Sequence, residues 1–260
     1  MIRGIIFLVL FLGSVTCYSQ ESTLPHFDPH LRPNKLILLG EIHGTNEIPD
    51  LTLLLIEKVL KKTIPVTLFI EHAKKEQVAI NTYLKSIGSQ TDKDSLTKHD
   101  FWQRKTQDGR TSMAMLELIE SIRSLKSNNA DIEIVLIDNP SSSDRDKFMY
   151  ETIVANMNSD TTRSYIGLVG NYHSRLKTGS GSLGSLLKEY NINLLSLCFS
   201  YSGGTAWVCS KGECGIKTIK GQGFAEKYKI YSFQNLTNYD GFLEIGNISA
   251  SPPAKSNLQH

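Results

Sequence analysis

The chain has little charge of one sign. Its 28 Lys and Arg stand against 26 Asp and Glu, a formal net charge of +2, so no strong field draws nucleic acid. Cysteine is scarce as well. Four occur in 260 residues, and Cys198, Cys209 and Cys214 do not fall at the spacing of a zinc site. Long apolar runs are missing too. The run Ile5 to Leu12 is too short to span a hydrocarbon core of about 30 Å. It follows Arg3 and precedes the small, polar stretch Ser14 to Ser19, which is the order of a secretory signal peptide. Residues 1–19 are therefore expected to be removed, with cleavage near Ser19-Gln20. The mature protein is expected in the periplasm or outside the cell. A lipid anchor would follow only if Cys17 were acylated, and Ser14-Val15-Thr16 before it is a poor lipobox.

Export bears on the remaining cysteines. Cys209 and Cys214 flank Ser-Lys-Gly-Glu between two short extended runs. In an oxidising compartment the reading favours a bridge across a hairpin over two free thiols. Cys198 lies in an aliphatic run and reads as a core residue.

What the chain does have is a repeated device, an aliphatic strand closed by polar residues. Leu36-Ile37-Leu38-Leu39 stops at Gly40-Glu41-Ile42-His43-Gly44. Val66 to Ile70 ends at Glu71-His72, Ile132 to Ile137 at Asp138-Asn139-Pro140, and Tyr165 to Val169 at Gly170-Asn171-Tyr172-His173. A fifth strand, Asn193 to Phe199, runs into Tyr201-Ser202-Gly203-Gly204. Between them, apolar residues recur at helical spacing over Leu51 to Leu60, Lys74 to Ser86, Thr111 to Leu125, Arg145 to Asn156 and Gly184 to Tyr190. Gly88 to Asp100 is polar and reads as loop, and Asp108-Gly109-Arg110 as a turn. Ala206 to Ile219 reads as a hairpin, and Tyr239 to Ile245 as one more short strand. Alternating strands and helices predict an α/β fold with a mostly parallel open sheet flanked by helices and a small C-terminal hairpin. No internal repeat or linker divides the chain, so one domain over residues 20–250 is expected, with residues 251–260 as a tail.

In an open parallel sheet, ligands bind beyond the carboxyl ends of the strands. Glu41, His43, Glu71, Asp138, Asn171 and His173 are all delivered there. His43 and His173 share one frame, each three residues after a glycine. Each alone has a plain structural role available: a hydrogen bond within its turn for either histidine, a helix N-terminal carboxylate for Glu71, a turn residue for Asp138. Arg145 stands near enough to the third strand end to bind an anion. His72 points away from Glu71 if the strand continues, and stays outside the group; His99 reads as exposed.

The two G-x-x-H motifs, with Glu41 inside the first and Glu71 after the second strand, resemble the EreA/ChaN-like or Tiki superfamily. Gly40-Glu41-Ile42-His43-Gly44 is most similar to the ChaN form of the first motif, and Asn171-Tyr172-His173 to the second motif of ChaN and Tiki members. Asp144-Arg145-Asp146 resembles the helix start of TraB-type members. The likeness runs from about Lys35 to Ser200 and is specific only at these islands. Erythromycin esterases carry one more residue between the glutamate and histidine of the first motif, which weakens any expectation of macrolide hydrolysis.

Two kinds of chemistry follow. One is an exported hydrolase acting on a peptide or small-molecule ester, with Glu41, His43, Glu71, His173 and Arg145 as catalytic residues. Its divalent metal would be held by His43, His173, Glu41, Glu71 and Asp138. A metal-free form would use His43, paired with Glu41 or Glu71, as general base on water. The alternative, which the ChaN likeness implies, is a binding protein for haem or another iron cofactor, with Asn171 and Tyr172 at the cofactor and Tyr201 able to cover a porphyrin face. No C-x-x-C-H motif is present, so such a haem would be non-covalent.

Overall fold

A computed structural model describes residues 24–210 and 212–254. The expected signal peptide, Cys17 and residues 255–260 of the expected tail lie outside the described residues.

The aliphatic runs form strands because their side chains can be covered on both faces. In chain order the elements begin with β1 (Leu36–Glu41), α1 (Glu47–Leu60), β2 (Val66–Ala73), α2 (Gln77–Leu84), α3 (Gln90–Thr97) and α4 (Asp100–Gln103). They continue with α5 (Met113–Ser127), β3 (Ile132–Asp138), α6 (Arg145–Ser159), β4 (Ser164–Gly170), α7 (Leu183–Glu189) and β5 (Leu194–Ser200). The last are β6 (Gly203–Ser210), β7 (Glu213–Lys220), β8 (Ile230–Tyr231), β9 (Gly241–Glu244) and β10 (Asn247–Ile248). Among the described residues, seven strands make one sheet in the order β3-β2-β4-β1-β5-β9-β8. All its pairings are parallel except β8 with β9. A second sheet, β10-β6-β7, carries the C-terminal hairpin, and Cys209 is disulfide-bonded to Cys214 across it.

The strands alternate strictly between two cores, as a period of two demands. Ile37 and Leu39 face Leu51 and Leu55 of α1 and Ile119 and Ile122 of α5. Leu36 and Leu38 face Met149 and Ile153 of α6 and Leu183 and Leu187 of α7. Each such side chain contributes roughly 1.5–3 kcal/mol on burial, so the register of the central strands is held from both sides. Cys198 is a free, buried thiol, and burial pushes its pKa up to about 11.

Two segments depart from the sequence reading. The stretch read as loop between Gly88 and Asp100 contains α3, started by a capping box in which Ser89 and Asp92 satisfy each other's backbone N–H groups. Only Leu96 and Thr97 of this helix are buried, so it offered no apolar period to detect. On α6 the helical spacing offered Phe148, Met149 and Ile153 alike to the interior, but Phe148 is half-buried and joins neither core, whereas Met149 and Ile153 are fully covered.

Candidate active site

The topology sets β1 and β4 side by side, with Glu41 opposite Gly170, so the two G-x-x-H motifs leave the sheet together. β2 lies on the other side of β4 and supplies Glu71. At that point β2 bulges: Ile70 pairs with Leu136 but Ala73 with Asp138, three steps against two. The extra residue is left unpaired with β3, between the two paired positions.

Glu71 is the centre of the site. Its Oε2 accepts from the Gly170 backbone N at 2.8 Å, and its Oε1 accepts from Arg110 Nη1 and Arg145 Nη2, both at 3.1 Å. Two imidazoles flank it, His43 Nε2 at 3.5 Å and His173 Nε2 at 3.6 Å. Each ring is oriented from behind by its own carboxylate. His43 Nδ1 donates to Glu41 Oε1 at 2.9 Å, and His173 Nδ1 donates to Asp146 Oδ1 at 2.8 Å. The same Asp146 oxygen accepts from Leu183 N at the start of α7, so the His173 ring is tied to two helices. Two carboxylate–histidine pairs therefore converge on one further carboxylate.

Gly170 is the floor between them. A Cβ there would stand 3.1 Å from His43 Nε2 and 3.4 Å from Glu71 Oε2. Gly44 has a φ of +79°, and a side chain on it would meet the Trp207 carbonyl at 2.2 Å. The hairpin strand β6 thus lies directly on the turn that carries His43.

Asp138, fully buried, accepts from Arg145 Nε at 2.8 Å and Nη2 at 2.7 Å, and from Arg110 Nη1 at 3.1 Å. Arg110 is fixed in turn by Asp108, at 2.6 Å from Nη2. The backbone of Arg110 is held as well. His72 Nε2 donates to the Arg110 carbonyl at 2.5 Å, with the imidazole packed against Phe101 and Trp102 at centroid distances of 4.7 and 5.6 Å. His72 is thus outside the group around Glu71, as its strand position implied, and serves as the post on which Arg110 is mounted.

Charge follows from these contacts. Burial opposes ionisation of Glu71, but His43 and Arg110 outweigh it and hold the carboxyl well below its usual range. Burial likewise opposes charge on His43, yet the Glu41 and Glu71 carboxylates prevail and raise its pKa to about 10. His43 is therefore an imidazolium at neutral pH. His72 behaves oppositely: burial, with Arg104 and Arg110 nearby, lowers its pKa to about 3 and keeps it neutral. Burial raises the Asp108 carboxyl, but the Arg110 and Arg104 guanidinium groups overcome it and leave the pKa lowered.

The structure brings together Glu41, His43, Glu71, Asp138, Arg145 and His173. It adds two residues that the sequence reading left out of the site, Arg110 and Asp146, the latter named only as part of the Asp144-Arg145-Asp146 helix start. Arg110 stood in an apparent turn and Asp146 in an ordinary helix start. Asn171 and Tyr172 are exposed. Asn171 contributes its backbone, donating to the Glu41 carbonyl and accepting from Tyr239, while the Tyr172 ring lies under Arg175 at 4.9 Å. Tyr201 packs against the core.

The expected metal ligands do not fit a metal as arranged. Glu71 and Asp138 are engaged by two guanidinium groups, and both histidines spend Nδ1 on carboxylates and turn Nε2 toward Glu71. No group of three or more His, Cys, Asp or Glu among the described residues has the geometry to hold an ion. A histidine ligates haem iron through a ring nitrogen, and in His43 and His173 the nitrogen not bonded to Glu41 or Asp146 faces Glu71.

No protein-family model and no curated protein is similar enough in sequence to match. Solved structures match in fold. The chain overlays on a succinoglycan biosynthesis protein at a TM-score of 0.64, with 10% identity over 88% of this chain and 92% of that one. It overlays on a mutant of erythromycin esterase EreC in its open conformation at 0.62, with 11% identity over 86% and 93%. The overlap with the haem-binding ChaN of Campylobacter jejuni is looser, at 0.40, with 13% identity over 73% and 88%. The chain shares its fold with the first two of these proteins.

Proposed function

We propose that the protein is an exported hydrolase of ester or amide bonds that works without a metal, through the two imidazoles around Glu71. The observation that carries this is the convergence of the Glu41–His43 and Asp146–His173 pairs on one ionised carboxylate. His173, with its Nδ1 proton held by Asp146, takes a proton from water at Nε2. The hydroxide oxygen bonds to the carbonyl carbon. His43, charged at rest, gives its Nε2 proton to the leaving oxygen or nitrogen as that bond breaks. Glu71 stabilises positive charge on whichever ring carries it, and the proton gained by His173 restores His43 through solvent. Arg145 serves the oxyanion. Its Nε and Nη2 are engaged by Asp138 and Glu71, whereas Nη1 has no hydrogen-bond partner among the described residues. Such a preset donor acts where charge develops in the reaction.

The fold likeness to an esterase supports the reaction class by analogy only. The test is an ester and peptide panel run on the mature chain before and after exhaustive chelation. Activity is expected to survive the chelator and to fall by about 10²-fold or more in His43→Ala and in His173→Ala. Loss on chelation with recovery on adding one divalent metal would overturn the metal-free reading. A haemin titration is expected to give no saturable Soret shift.

A further inference from the structure

A cavity of about 530 Å³ lies beside the site, between the end of β2 and the first turn of α6. Its size is that of a pocket for a small organic guest. Asp138, whose carboxylate is bonded to Arg110 and Arg145, forms part of its wall. Phe101 and Phe148 supply much of its apolar lining. Phe101 is anchored, with Arg104 over its ring at 4.1 Å. Phe148 is not anchored. It stands one helical turn from Arg145, hence on the same side of α6, half-buried and packed into neither core. It shares the wall with Phe101 and Pro140, so an apolar guest entering the cavity would cover both rings.

The charged groups of the wall are unequal. Asp138 is matched by Arg110 and Arg145, Lys75 by Asp100 at 3.0 Å, and Arg104 by Asp108 at 2.5 Å. Lys74 has no carboxylate partner among the described residues. Its one hydrogen bond among them is a long contact of 3.5 Å to the Gln77 side chain. Partial burial already weighs against its charge, lowering its pKa, so an arriving anion would recover a cost that the free protein carries.

We propose that this cavity is the substrate subsite and that it selects esters or amides bearing an apolar, preferably aromatic, group with one anion: the ring lies against Phe148 and Phe101, and the anion meets Lys74. The reaction assigned to the guest rests on the hydrolase reading above, whereas its binding does not. The experiment therefore uses probes that cannot be hydrolysed.

Fluorescence titration of the full chain compares 1-naphthoate with 1-naphthalenemethanol, the same ring without the charge. Naphthoate is expected to bind about 10-fold more tightly, the worth of one charge-assisted contact. Lys74→Met is expected to bring the two within about 3-fold, and Lys74→Arg to restore the preference. Phe148→Ala is expected to weaken both probes about 10-fold. Equal binding of the two probes by the wild-type chain, or a preference that survives Lys74→Met, would overturn the assignment. If these patterns hold in a chain that hydrolyses nothing, the subsite stands and the hydrolase reading falls. If esters are cleaved with no such patterns, the reverse holds.

Discussion

The chemistry of this site is set by which side chain each ionisable group is made to face. His43 and His72 are both imidazoles near one end of the sheet, yet one is held charged and the other neutral. His43 faces two carboxylates; His72 faces a carbonyl and two aromatic rings. Environments that push like groups apart are how acid and base roles are divided in a small space. The residue on which this geometry most depends has no side chain. Gly170 gives its N–H to Glu71 and leaves just enough room for His43. Gly170→Ala is expected to move Nε2 of His43 or the Glu71 carboxylate by a few tenths of an ångström. Hydrolysis should then drop about 10-fold, with a stability loss of only about 1 kcal/mol. Comparing kcat/KM with the denaturant midpoint checks both. The sequence exposed His43, Glu71 and His173 because each closes an aliphatic strand. It gave no role to Arg110, whose place depends on a bond from His72 across 38 positions, or to Asp146, whose partners His173 and Leu183 lie 27 and 37 positions away.

Elements carry their own conflicts. β3 is an edge strand, and an open parallel edge invites pairing with another chain. The side-chain amide of Gln77 closes it. Nε2 donates to the Ile134 carbonyl at 2.9 Å and Oε1 accepts from Leu136 N at 2.8 Å, as a neighbouring strand would. Gln77→Ala is expected to cost about 1–3 kcal/mol, because two partly buried backbone groups lose their partner. It should also raise self-association, which denaturant unfolding and light scattering would register. The strands and long helices were legible from periodicity, since burial on both sheet faces leaves continuous aliphatic runs. α3 was not. It is fastened by the Ser89–Asp92 capping box and by little apolar burial, so its signal lay in spacing of polar residues rather than in a hydrophobic period. The bulge at Glu71 was equally silent, because a one-residue slip between β2 and β3 leaves no mark on composition.

At the scale of the molecule, one topological fact gathers everything. Parallel strands in the order β3-β2-β4-β1 bring their carboxyl ends into line. Asp138, Glu71, Gly170 and Glu41, far apart in the chain, therefore stand in succession along one rim. The shared rim followed from strand–helix alternation alone; the order of the strands along it did not. The roles did not: a set of carboxylates and histidines reads equally well as metal ligands until the guanidinium groups of Arg110 and Arg145 are seen to occupy it. The account's central claim is that His43 is a standing imidazolium between Glu41 and Glu71, ready to act as an acid. Nitrogen-15 NMR of the His43 ring against pH tests this most directly. Both ring nitrogens are expected to stay protonated through neutral pH and to titrate near pH 10. Removing a negative neighbour disfavours the cation, so Glu71→Gln should shift that midpoint downward. A His43 that titrates near the ordinary 6.5 in the wild-type chain, unmoved by Glu71→Gln, would contradict it.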